Sequence, residues 1–276
     1  MSLISRICGS LEARLSQPHF NLWRTAYLNF RTLPYKQAIK FPIYVYGKVR
    51  FFMLNGSISI SDCAIKRGMV KIGVNGDSFS LSDGSGFIQL ASPTARIEFQ
   101  GPCRIALNSK IRVADGILQF GKYSRIGTGS KIICNGGRIS IGAFTGITFG
   151  CTMMNSSFHY TYDLQLGAYR NRTKNIVIGE RNWIGNQTTI LGGTLTKNDT
   201  IVGTGSLLNR DYTRLDGEYP MIAGRPAKLL RLGVKRVFAP DNEVRISKLF
   251  DNEKSDSEIV LSPEFPDDPG KLIVEM

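Results

Sequence analysis

Histidine and cysteine, the side chains that most often bind transition metals, are scarce or dispersed in this sequence. The 276 residues include only two histidines, His19 and His159, which excludes a zinc site built from three histidines. The five cysteines form no Cys-x-x-Cys pair, so clustered thiolate ligands are lacking as well. We therefore expect no metal site. An odd number of dispersed cysteines is typical of a reduced, cytoplasmic protein.

Long hydrophobic runs are lacking too. No stretch approaches the roughly 18 apolar residues that a membrane-spanning helix requires. The opening MSLISRICGSLEARL carries charges within its apolar part, unlike a signal peptide. Apolar residues make up 42% and charged residues 21%, proportions that argue against a disordered chain or a coiled coil. A chain of this length can bury a substantial core.

Positive charge is unevenly distributed along the chain. The net charge of +13 divides into +19 over the first 240 residues and −6 over 241–276. Residues 1–55 contain eight basic residues, one acidic residue and ten of the 27 aromatic residues. We predict that they form a basic, aromatic-rich and partly helical N-terminal cap. Two interpretations are open: the aromatic side chains form the core of the cap, or they contact an anionic membrane surface.

The middle of the chain contains a repeat. Three segments, starting at Ile97, Leu118 and Ile139, align at a spacing of 21 residues. Apolar residues recur after six positions within a unit and after nine positions between units. The equivalent positions are Phe99, Phe120 and Ile141, then Ile105, Ile126 and Ile147, then Ile111, Ile132 and Met153.

A second stretch keeps a strict step of six residues, through Ile178, Ile184, Ile190, Thr196, Val202 and Leu208. This period is neither that of a helix nor that of a simple strand, but it fits one inward residue on each edge of a triangular coil. We predict an all-β fold, a parallel β-helix (triangular solenoid) over 56–222 with irregular first coils at 56–95. The alternative is an antiparallel β protein with regular short strands.

Two details of the repeat bear on the shape of the coils. Gly179, Gly185 and Gly203 each follow an inward aliphatic residue, where we expect them to supply unusual backbone dihedral angles at corners. Thr196 and Lys197 replace the aliphatic-glycine pair in one hexapeptide. This departure predicts a looser or wider coil at that point.

The stretch from Ile176 to Arg231 contains IVIGERNWIGNQTTILGGT, IVGTGSLL and MIAGRPAKLLRL. It resembles the hexapeptide-repeat acyltransferases, most of all the galactoside, maltose and capsular-polysaccharide O-acetyltransferases. The resemblance implies a left-handed β-helix that forms a homotrimer, with acetyl-CoA as donor and active sites between adjacent chains. It also implies that the Ala-Gly-x-Pro-Ala-Lys turn leads into a short C-terminal helix, so we expect turn and helix at 223–238 and an acidic tail at 239–276.

The six-residue rhythm breaks between Met153 and Ile178, and we predict a loop at 154–175 that protrudes from the coils. The loop contains His159, and in the resembling family a histidine beside such a loop acts as general base. Histidine suits that role because it titrates near neutrality and can take the proton of an attacking hydroxyl.

Asp163 is a candidate for orienting the imidazole, and His19 is expected to be structural. Candidate acceptor-binding residues are Tyr160, Tyr162, Asp163 and Asn171.

The same resemblance implies where coenzyme A binds. Trp183 would lie against the acyl-thioester end, and Lys228 and Arg231 would bind the phosphates. The implied donor-binding residues are Trp183, Asn186, Gly203, Thr204, Gly205, Asn209, Arg210, Arg225, Lys228 and Arg231.

The sequence and the resemblance together predict an acetyl-CoA-dependent O-acetyltransferase that acts on a sugar hydroxyl of a glycan, a capsular or surface polysaccharide, or its precursor. Two alternatives stay open: N-acetylation of an amino sugar on a nucleotide carrier, and a non-catalytic β-solenoid that serves as a binding or scaffold protein. The Lys and Arg residues of the coils accompany no recognition motif, so no nucleic-acid partner is expected. We expect a cytoplasmic protein, with peripheral contact at the inner face of the cytoplasmic membrane as an open question.

Overall fold

The computed structural model describes residues 18–61, 64–76, 84–238 and 240–253. This part of the chain begins with helix α1 (Leu22–Thr32) and the single turn α2 (Tyr35–Ala38), and it ends with helix α3 (Pro240–Glu253). Asn21 caps α1, because its side-chain oxygen accepts a hydrogen bond of 3.0 Å from the backbone N–H of Arg24. The regular structure between α2 and α3 consists of β-strands.

Most strands, numbered in chain order, form three parallel ladders that we call the first, second and third faces. The first face contains β1 (Ile43–Val45), β4 (Val70–Val74), β7 (Cys103–Ala106), β9 (Ser124–Ile126), β11 (Gly146–Ile147), β16 (Trp183–Ile184), β18 (Ile201–Val202) and β20 (Met221–Gly224). The second face contains β2 (Val49–Leu54), β5 (Gly86–Leu90), the first halves of β8 (Lys110–Phe120) and β10 (Lys131–Ile141), β12 (Thr152–Met154), β17 (Thr189–Leu191) and β19 (Leu207–Leu208). The third face contains β3 (Ser57–Ile60), β6 (Arg96–Phe99), the second halves of β8 and β10, and β15 (Ile176–Ile178). The chain visits the three faces in turn, so each passage makes one coil.

The register of these ladders confirms the repeat read from the sequence. Phe99 is paired with Phe120, and Phe120 with Ile141, so positions 21 residues apart are stacked in adjacent coils. In the second stretch, Ile184 is paired with Val202. These side chains are buried and belong to one continuous core. The parallel pairing excludes the antiparallel alternative.

The coils begin earlier in the chain than predicted. β1 and β2 lie within the segment assigned to the cap, yet they pair in parallel with β4 and β5, so the first coil starts at Ile43. The early coils are irregular, with register shifts at Phe52/Leu54 and at Ile72/Val74. In the described residues, the cap is therefore limited to α1, α2 and their connections. Residues 1–17 of the predicted cap lie outside the described residues.

The aromatic residues of α1 do not form the core of the cap. Trp23, Tyr27 and Phe30 are exposed, while the buried side of the helix carries mainly polar residues. The interpretation of these aromatic residues as core is therefore wrong for α1. The reason is that hydrogen bonds to β1 and the buried side chain of Leu28, rather than these rings, hold this helix in place.

The corner glycines are explained by the closeness of the next coil, not by unusual dihedral angles. A Cβ on Gly179 would lie 2.4 Å from the carbonyl oxygen of Lys197, and one on Gly185 would lie 2.6 Å from the backbone nitrogen of Thr204. Neither glycine has a positive φ, so the expected reason was wrong. A positive φ occurs further round the corner, as at Gly205 with φ of 70°.

Thr196 takes an inward position without loosening the coil. It is buried, and its backbone N–H donates to the carbonyl oxygen of Val177 at 2.9 Å, which keeps the register. Its hydroxyl oxygen accepts hydrogen bonds from the backbone N–H of Gly179 at 2.9 Å and from Nδ2 of Asn182 at 2.6 Å. The predicted wider coil is therefore absent here, because the polar side chain is satisfied within the stack.

Residues 223–238 do not form the predicted helix. β20 and β21 (Ala227–Arg231) make an antiparallel hairpin through Arg225 and Pro226. The last coil leaves a strand edge with open backbone N–H and C=O groups, and β21 pairs with that edge. The C-terminal helix is present as α3, inside the segment assigned to the acidic tail. Residues 239 and 254–276 of that tail lie outside the described residues.

Candidate active site

A β-hairpin protrudes from the coil that β11, β12 and β15 form. The chain leaves the second face after Met154 and returns to the third face at Ile176. Between these points, β13 (Thr161–Asp163) and β14 (Ala168–Arg170) pair as antiparallel strands. The protruding segment therefore occupies the corner between the second and third faces, and it has its own hydrogen-bonded structure.

Backbone and amide hydrogen bonds hold the base of the hairpin. The backbone N–H of Lys174 donates to the carbonyl oxygen of Asn155 at 2.9 Å, and that of Ser157 donates to the carbonyl oxygen of Arg172 at 3.0 Å. The buried side chain of Asn155 donates from Nδ2 to the carbonyl oxygen of Gly136, at 2.6 Å, in the preceding coil. The hairpin is thus anchored at a fixed corner of the scaffold.

His159 lies between the base of the hairpin and β13, and its side chain is exposed. Its carbonyl oxygen accepts a hydrogen bond of 3.1 Å from the hydroxyl of Ser157. Arg172 donates from Nη1 to the carbonyl oxygen of Phe158 at 3.3 Å, and its guanidinium lies 4.7 Å from the ring centroid of Tyr160. Arg172 therefore braces the residues on both sides of His159, while the imidazole stays accessible to a ligand.

A cavity of about 420 Å³ opens between the hairpin and the coil. Ser157 and Thr161, which flank the segment that carries His159, line this cavity. Three cationic side chains line it as well, those of Arg170, Arg172 and Lys174, and no carboxylate is among the lining residues. Arg170 is paired with Asp163, so Arg172 and Lys174 are the cations that suit the cavity to an anionic ligand.

Asp163 does not orient His159. Its Oδ1 accepts hydrogen bonds of 3.0 Å from the backbone N–H groups of Gln165 and Leu166, and its Oδ2 pairs with Arg170. The Arg170 guanidinium and the backbone donor of Leu166 hold the pKa of Asp163 below its usual range. The carboxylate closes the hairpin instead, because its strongest partners lie within that hairpin.

The other candidate acceptor residues divide into two groups. Asn171 lines the cavity, as an acceptor-binding residue would. Tyr160 packs beneath Arg172, and Tyr162 packs on Tyr169 with ring centroids 4.9 Å apart. Both tyrosines lie on the hairpin beside the cavity rather than in its lining.

A second cleft, of about 940 Å³, lies on the first face around Trp183. Its lining comes from the coils (Thr148, Phe149, Trp183, Asn186), from the segment after β21 (Lys235, Arg236) and from α3 (Glu243, Ile246, Ser247). The guanidinium of Arg236 lies 5.7 Å from the ring centroid of Trp183. An aromatic floor with two cations can hold an extended ligand that carries phosphate groups.

Several predicted donor residues follow one another along the corner next to this cleft. The backbone N–H of Gly205 donates to the carbonyl oxygen of Asn186 at 2.8 Å. Arg225 donates from Nη1 to the carbonyl oxygen of Gly205 at 3.4 Å. Gly203 and Thr204 precede Gly205 at the same corner. Asn186, Gly205 and Arg225 therefore form a continuous column from one coil to the next.

The predicted phosphate-binding residues lie at the end of the first face. Trp183, Ile201, Met221 and Arg231 occupy one row of paired residues across four strands. Three strand spacings, about 14 Å, separate Trp183 from Arg231. Lys228 lies on the same final strand, paired with Ala223. Both cations are exposed, on a strand and not on the predicted helix.

Asn209 and Arg210 lie elsewhere. They follow β19 at the corner between the second and third faces, where the carbonyl oxygen of Arg210 accepts a hydrogen bond of 3.3 Å from the backbone N–H of Leu195. The guanidinium of Arg210 lies 5.8 Å from the ring centroid of Tyr212. Within one chain, these two residues share the corner of the hairpin and are not grouped with Trp183 and Asn186.

The sequence prediction missed five basic residues of the two cavities: Arg170, Arg172, Lys174, Lys235 and Arg236. Arg170, Arg172 and Lys174 alternate in the segment RNRTK, and this local charge pattern was a usable signal. Arg236 reaches Trp183 from 53 residues further along the chain. No local pattern indicates that contact, because it depends on how the chain returns after β21.

The described cysteines are poor candidates for a nucleophile. Cys103, Cys134 and Cys151 form no disulfide and are buried. Burial raises the pKa of Cys103 to about 12 and that of Cys134 to about 11, so these two thiols stay protonated near neutrality.

Among the described residues, no three His, Cys, Asp or Glu side chains converge on a metal position. No helix in the described ranges is long and apolar enough to span a bilayer.

Comparison with known proteins gives one sequence likeness and several structural ones. No family model matches the chain. Over 80 residues the chain is 34% identical to a polysialic acid O-acetyltransferase of Neisseria meningitidis, and the match spans 29% of this chain and 37% of that protein. The crystal structure of the polySia specific acetyltransferase NeuO aligns with 80% of this chain and 91% of its own, with a TM-score of 0.51 and 14% identity. The polysialic acid O-acetyltransferase OatWY aligns with 81% and 96%, with a TM-score of 0.44 and 20% identity.

The match to the Neisseria protein confirms the resemblance to O-acetyltransferases that the stretch from Ile176 to Arg231 indicated. The likeness to NeuO is one of fold, and it extends over most of both chains. The likeness to the Neisseria protein is one of sequence, and the chain spans little more than a third of that relative's length.

Proposed function

We propose that this protein transfers an acetyl group from acetyl-CoA to a hydroxyl of an acidic glycan, such as a capsular or surface polysaccharide or its precursor. The observation that carries the proposal is the position of His159, exposed beside a cavity with three cations, on an anchored hairpin of a coiled β scaffold. The partial match to a polysialic acid O-acetyltransferase supports both the reaction and the acidic acceptor. We infer that the coils are left-handed, as in the resembling family.

His159 is the general base in this proposal. The imidazole takes the proton of the acceptor hydroxyl, and the resulting oxygen attacks the thioester carbonyl of acetyl-CoA. The tetrahedral intermediate collapses with expulsion of the coenzyme A thiolate, which receives the proton back from His159. The products are the O-acetyl ester and free coenzyme A. No nucleophile on the enzyme is required, because both substrates meet in one site.

The first-face cleft is the donor site in this proposal. Trp183 would contact the thioester end, and the row of paired residues from Trp183 to Arg231 would give the donor a path of about 14 Å along the first face. Lys228 and Arg231 would bind the phosphates, with Arg225 beside them. Asn186, Gly203, Thr204 and Gly205 would face the pantetheine arm along the corner column. Lys235 and Arg236 add two cations that the sequence had not indicated.

The active site is completed by a second copy of the chain. His159 lies at the corner between the second and third faces, whereas Trp183 lies on the first face. Within one chain the body of the coil stands between them. In a homotrimer, His159 of one chain would meet Trp183 of the next, because a threefold axis brings one corner of each chain next to a different face of its neighbour. Asn209 and Arg210 would then approach the donor of the neighbouring chain.

A cytoplasmic location fits the donor and the thiols. Acetyl-CoA is an intracellular metabolite, and the three described cysteines are buried and form no disulfide, as in proteins of reducing compartments.

The test is the release of free coenzyme A with an acidic polysaccharide as acceptor. His159→Ala should lower kcat by about 10²- to 10⁴-fold, because it removes the general base. His19→Ala is the matched control, since His19 is exposed and outside the coils, and it should keep the full rate. A His159→Ala variant with wild-type turnover would contradict the mechanism.

The same assay separates the remaining alternatives. A preference for amino sugars on nucleotide carriers over hydroxyl acceptors would favour N-acetylation. A non-catalytic scaffold would release no coenzyme A with any acceptor, and acetyl-CoA would leave its Tm unchanged.

A further inference from the structure

Helix α1 buries its polar side against the first coil. Asn29 donates from Nδ2 to the carbonyl oxygen of Ile43 at 2.7 Å and accepts from its backbone N–H at 3.2 Å. The hydroxyl oxygen of Thr25 accepts a hydrogen bond of 2.9 Å from the backbone N–H of Val45. These side chains close the open edge of β1 in the way that a neighbouring strand would. These hydrogen bonds, together with the burial of Leu28 in the core, fix the orientation of α1.

The opposite side of α1 carries three aromatic residues, which we call the aromatic face: Trp23, Tyr27 and Phe30. Their spacing of four and three residues places them on one side of the helix. Their side chains are 84%, 55% and 49% exposed. A surface helix of a globular protein normally shows the reverse pattern, with apolar residues inward and polar residues in water. The aromatic face is therefore a surface built for contact.

The exposed aromatic surface extends beyond the helix. Tyr35, which is 72% exposed, lies with its ring centroid 6.4 Å from that of Phe30. The ring of Tyr27 lies 6.0 Å from that of Phe51 on β2. Rings from α1, α2 and β2 thus make one patch at the first-coil end of the protein.

Only positive charge accompanies this patch. Residues 18–61 contain no Asp or Glu and six cationic residues: Arg24, Arg31, Lys36, Lys40, Lys48 and Arg50. None of the six forms an ion pair with a described residue. On α1 itself, Arg24 and Arg31 are seven residues apart and therefore lie on one side of the helix. A partner surface complementary to this patch must be apolar enough to receive aromatic rings and must carry negative charge.

We propose that the aromatic face docks this protein onto an anionic lipid bilayer. Trp and Tyr are the residues that settle at the membrane–water interface, and nearby Lys and Arg gain free energy from anionic headgroups. An interfacial helix with aromatic residues on one side and cations beside them binds in the plane of such a surface. The proposal concerns a surface at the opposite end of the coils from β21 and does not depend on acetyl transfer.

The test is flotation of the full chain with lipid vesicles. Vesicles of equal parts phosphatidylcholine and phosphatidylglycerol should bind the protein, and pure phosphatidylcholine should not. Replacing Arg24 and Arg31 with Gln should weaken partition about fivefold for each charge removed, and added salt should weaken it as well. A Trp23→Ser, Phe30→Ser double variant should weaken it by about tenfold or more.

Matched controls distinguish this surface from general stickiness. Lys110→Gln with Lys131→Gln removes two exposed cations of the second face, and Tyr169→Ser removes an exposed aromatic residue of the hairpin. Both should float like the wild type. The proposal would be overturned if the aromatic-face variants floated as well as the wild type, or if the wild type bound pure phosphatidylcholine as well as the anionic vesicles.

Trp23 provides a second and independent measurement. The chain has two tryptophans, so Trp183→Phe leaves Trp23 as the sole tryptophan. Iodide should quench the fluorescence of Trp23 in the free protein, and the emission should shift to shorter wavelength on anionic vesicles. Emission that is already shielded in the free protein would overturn the proposal, since residues 1–17, the acidic segment 254–276 or a second copy would then cover the face.

Discussion

At the scale of single residues, the distance to the next coil dictates where glycine must stand. A Cβ on Gly142 would lie 2.5 Å from the backbone nitrogen of Glu180. Backbone atoms held in a ladder cannot turn aside as a flexible side chain can. Any substitution there must push two coils apart or break a hydrogen bond between them.

Gly142→Ala should therefore lower the free energy of unfolding by about 3 kcal/mol, as for overpacking against an unyielding neighbour. Gly129 is the matched control. It has φ of 70°, and a Cβ there would meet no atom within 4 Å, so Gly129→Ala should cost only about 1 kcal/mol of backbone strain. Urea unfolding of both variants checks the difference. Equal losses would contradict the prediction, because the contact between coils would then cost no more than backbone strain at a positive φ.

The residues that point inward could be predicted because they recur, whereas the reason for the glycines could not. The spacing of Phe99, Phe120 and Ile141 is visible in the sequence, and these residues are stacked as predicted. The contact of Gly179 with Lys197 depends on the separation of two coils, which no single hexapeptide contains. The hydrogen bonds that satisfy the inward Thr196 could not be predicted for the same reason, since their partners lie in another coil or across a corner.

At the scale of secondary-structure elements, the two ends of the coil stack show how tertiary context overrides local pattern. The segment AKLLRL suits a helix by propensity, but it forms β21 because the last coil presents an unpaired strand edge. At the other end, a helix takes the place of a strand, and its polar side chains close the edge of β1. Neither outcome is contained in the local sequence, because both depend on an edge formed elsewhere.

The hairpin with His159 makes a prediction about the acceptor. Lys174 lines the cavity with its cation exposed, so Lys174→Gln should raise KM for an acidic glycan about tenfold, as expected for the loss of a charged hydrogen bond, with little change in kcat. For a neutral glycan the same substitution should leave KM unchanged. Lys110→Gln, on the second face away from the hairpin, is the matched control. Steady-state kinetics with both acceptors measures the effect, and an equal rise for both would show that Lys174 does not recognise charge.

At the scale of the whole molecule, a single chain carries two half-sites on different sides of one solenoid. The hairpin belongs to the corner between the second and third faces, and Trp183 belongs to the first face. The sequence could indicate both half-sites through the loop and the Trp-Ile-Gly triplet. It could not indicate their separation, because the face that a hexapeptide occupies depends on how many edges precede it, and the hairpin between Met154 and Ile176 interrupts that count.

Mixing two inactive variants tests whether neighbouring chains complete the site. His159→Ala removes the base but keeps the donor cleft, and Trp183→Ala does the reverse, so each variant alone should turn over slowly. If each site takes its base from one chain and its donor cleft from the next, random co-assembly after refolding the two variants together in equal amounts should restore about a quarter of the wild-type sites, the fraction that combine one intact half from each variant. The controls are each variant refolded alone and the two mixed without refolding, and both should stay inactive. Sedimentation should show a trimer throughout. A fully active monomer, or no recovery in mixed trimers, would mean that base and donor belong to the same chain, contrary to their positions on different sides of the coil.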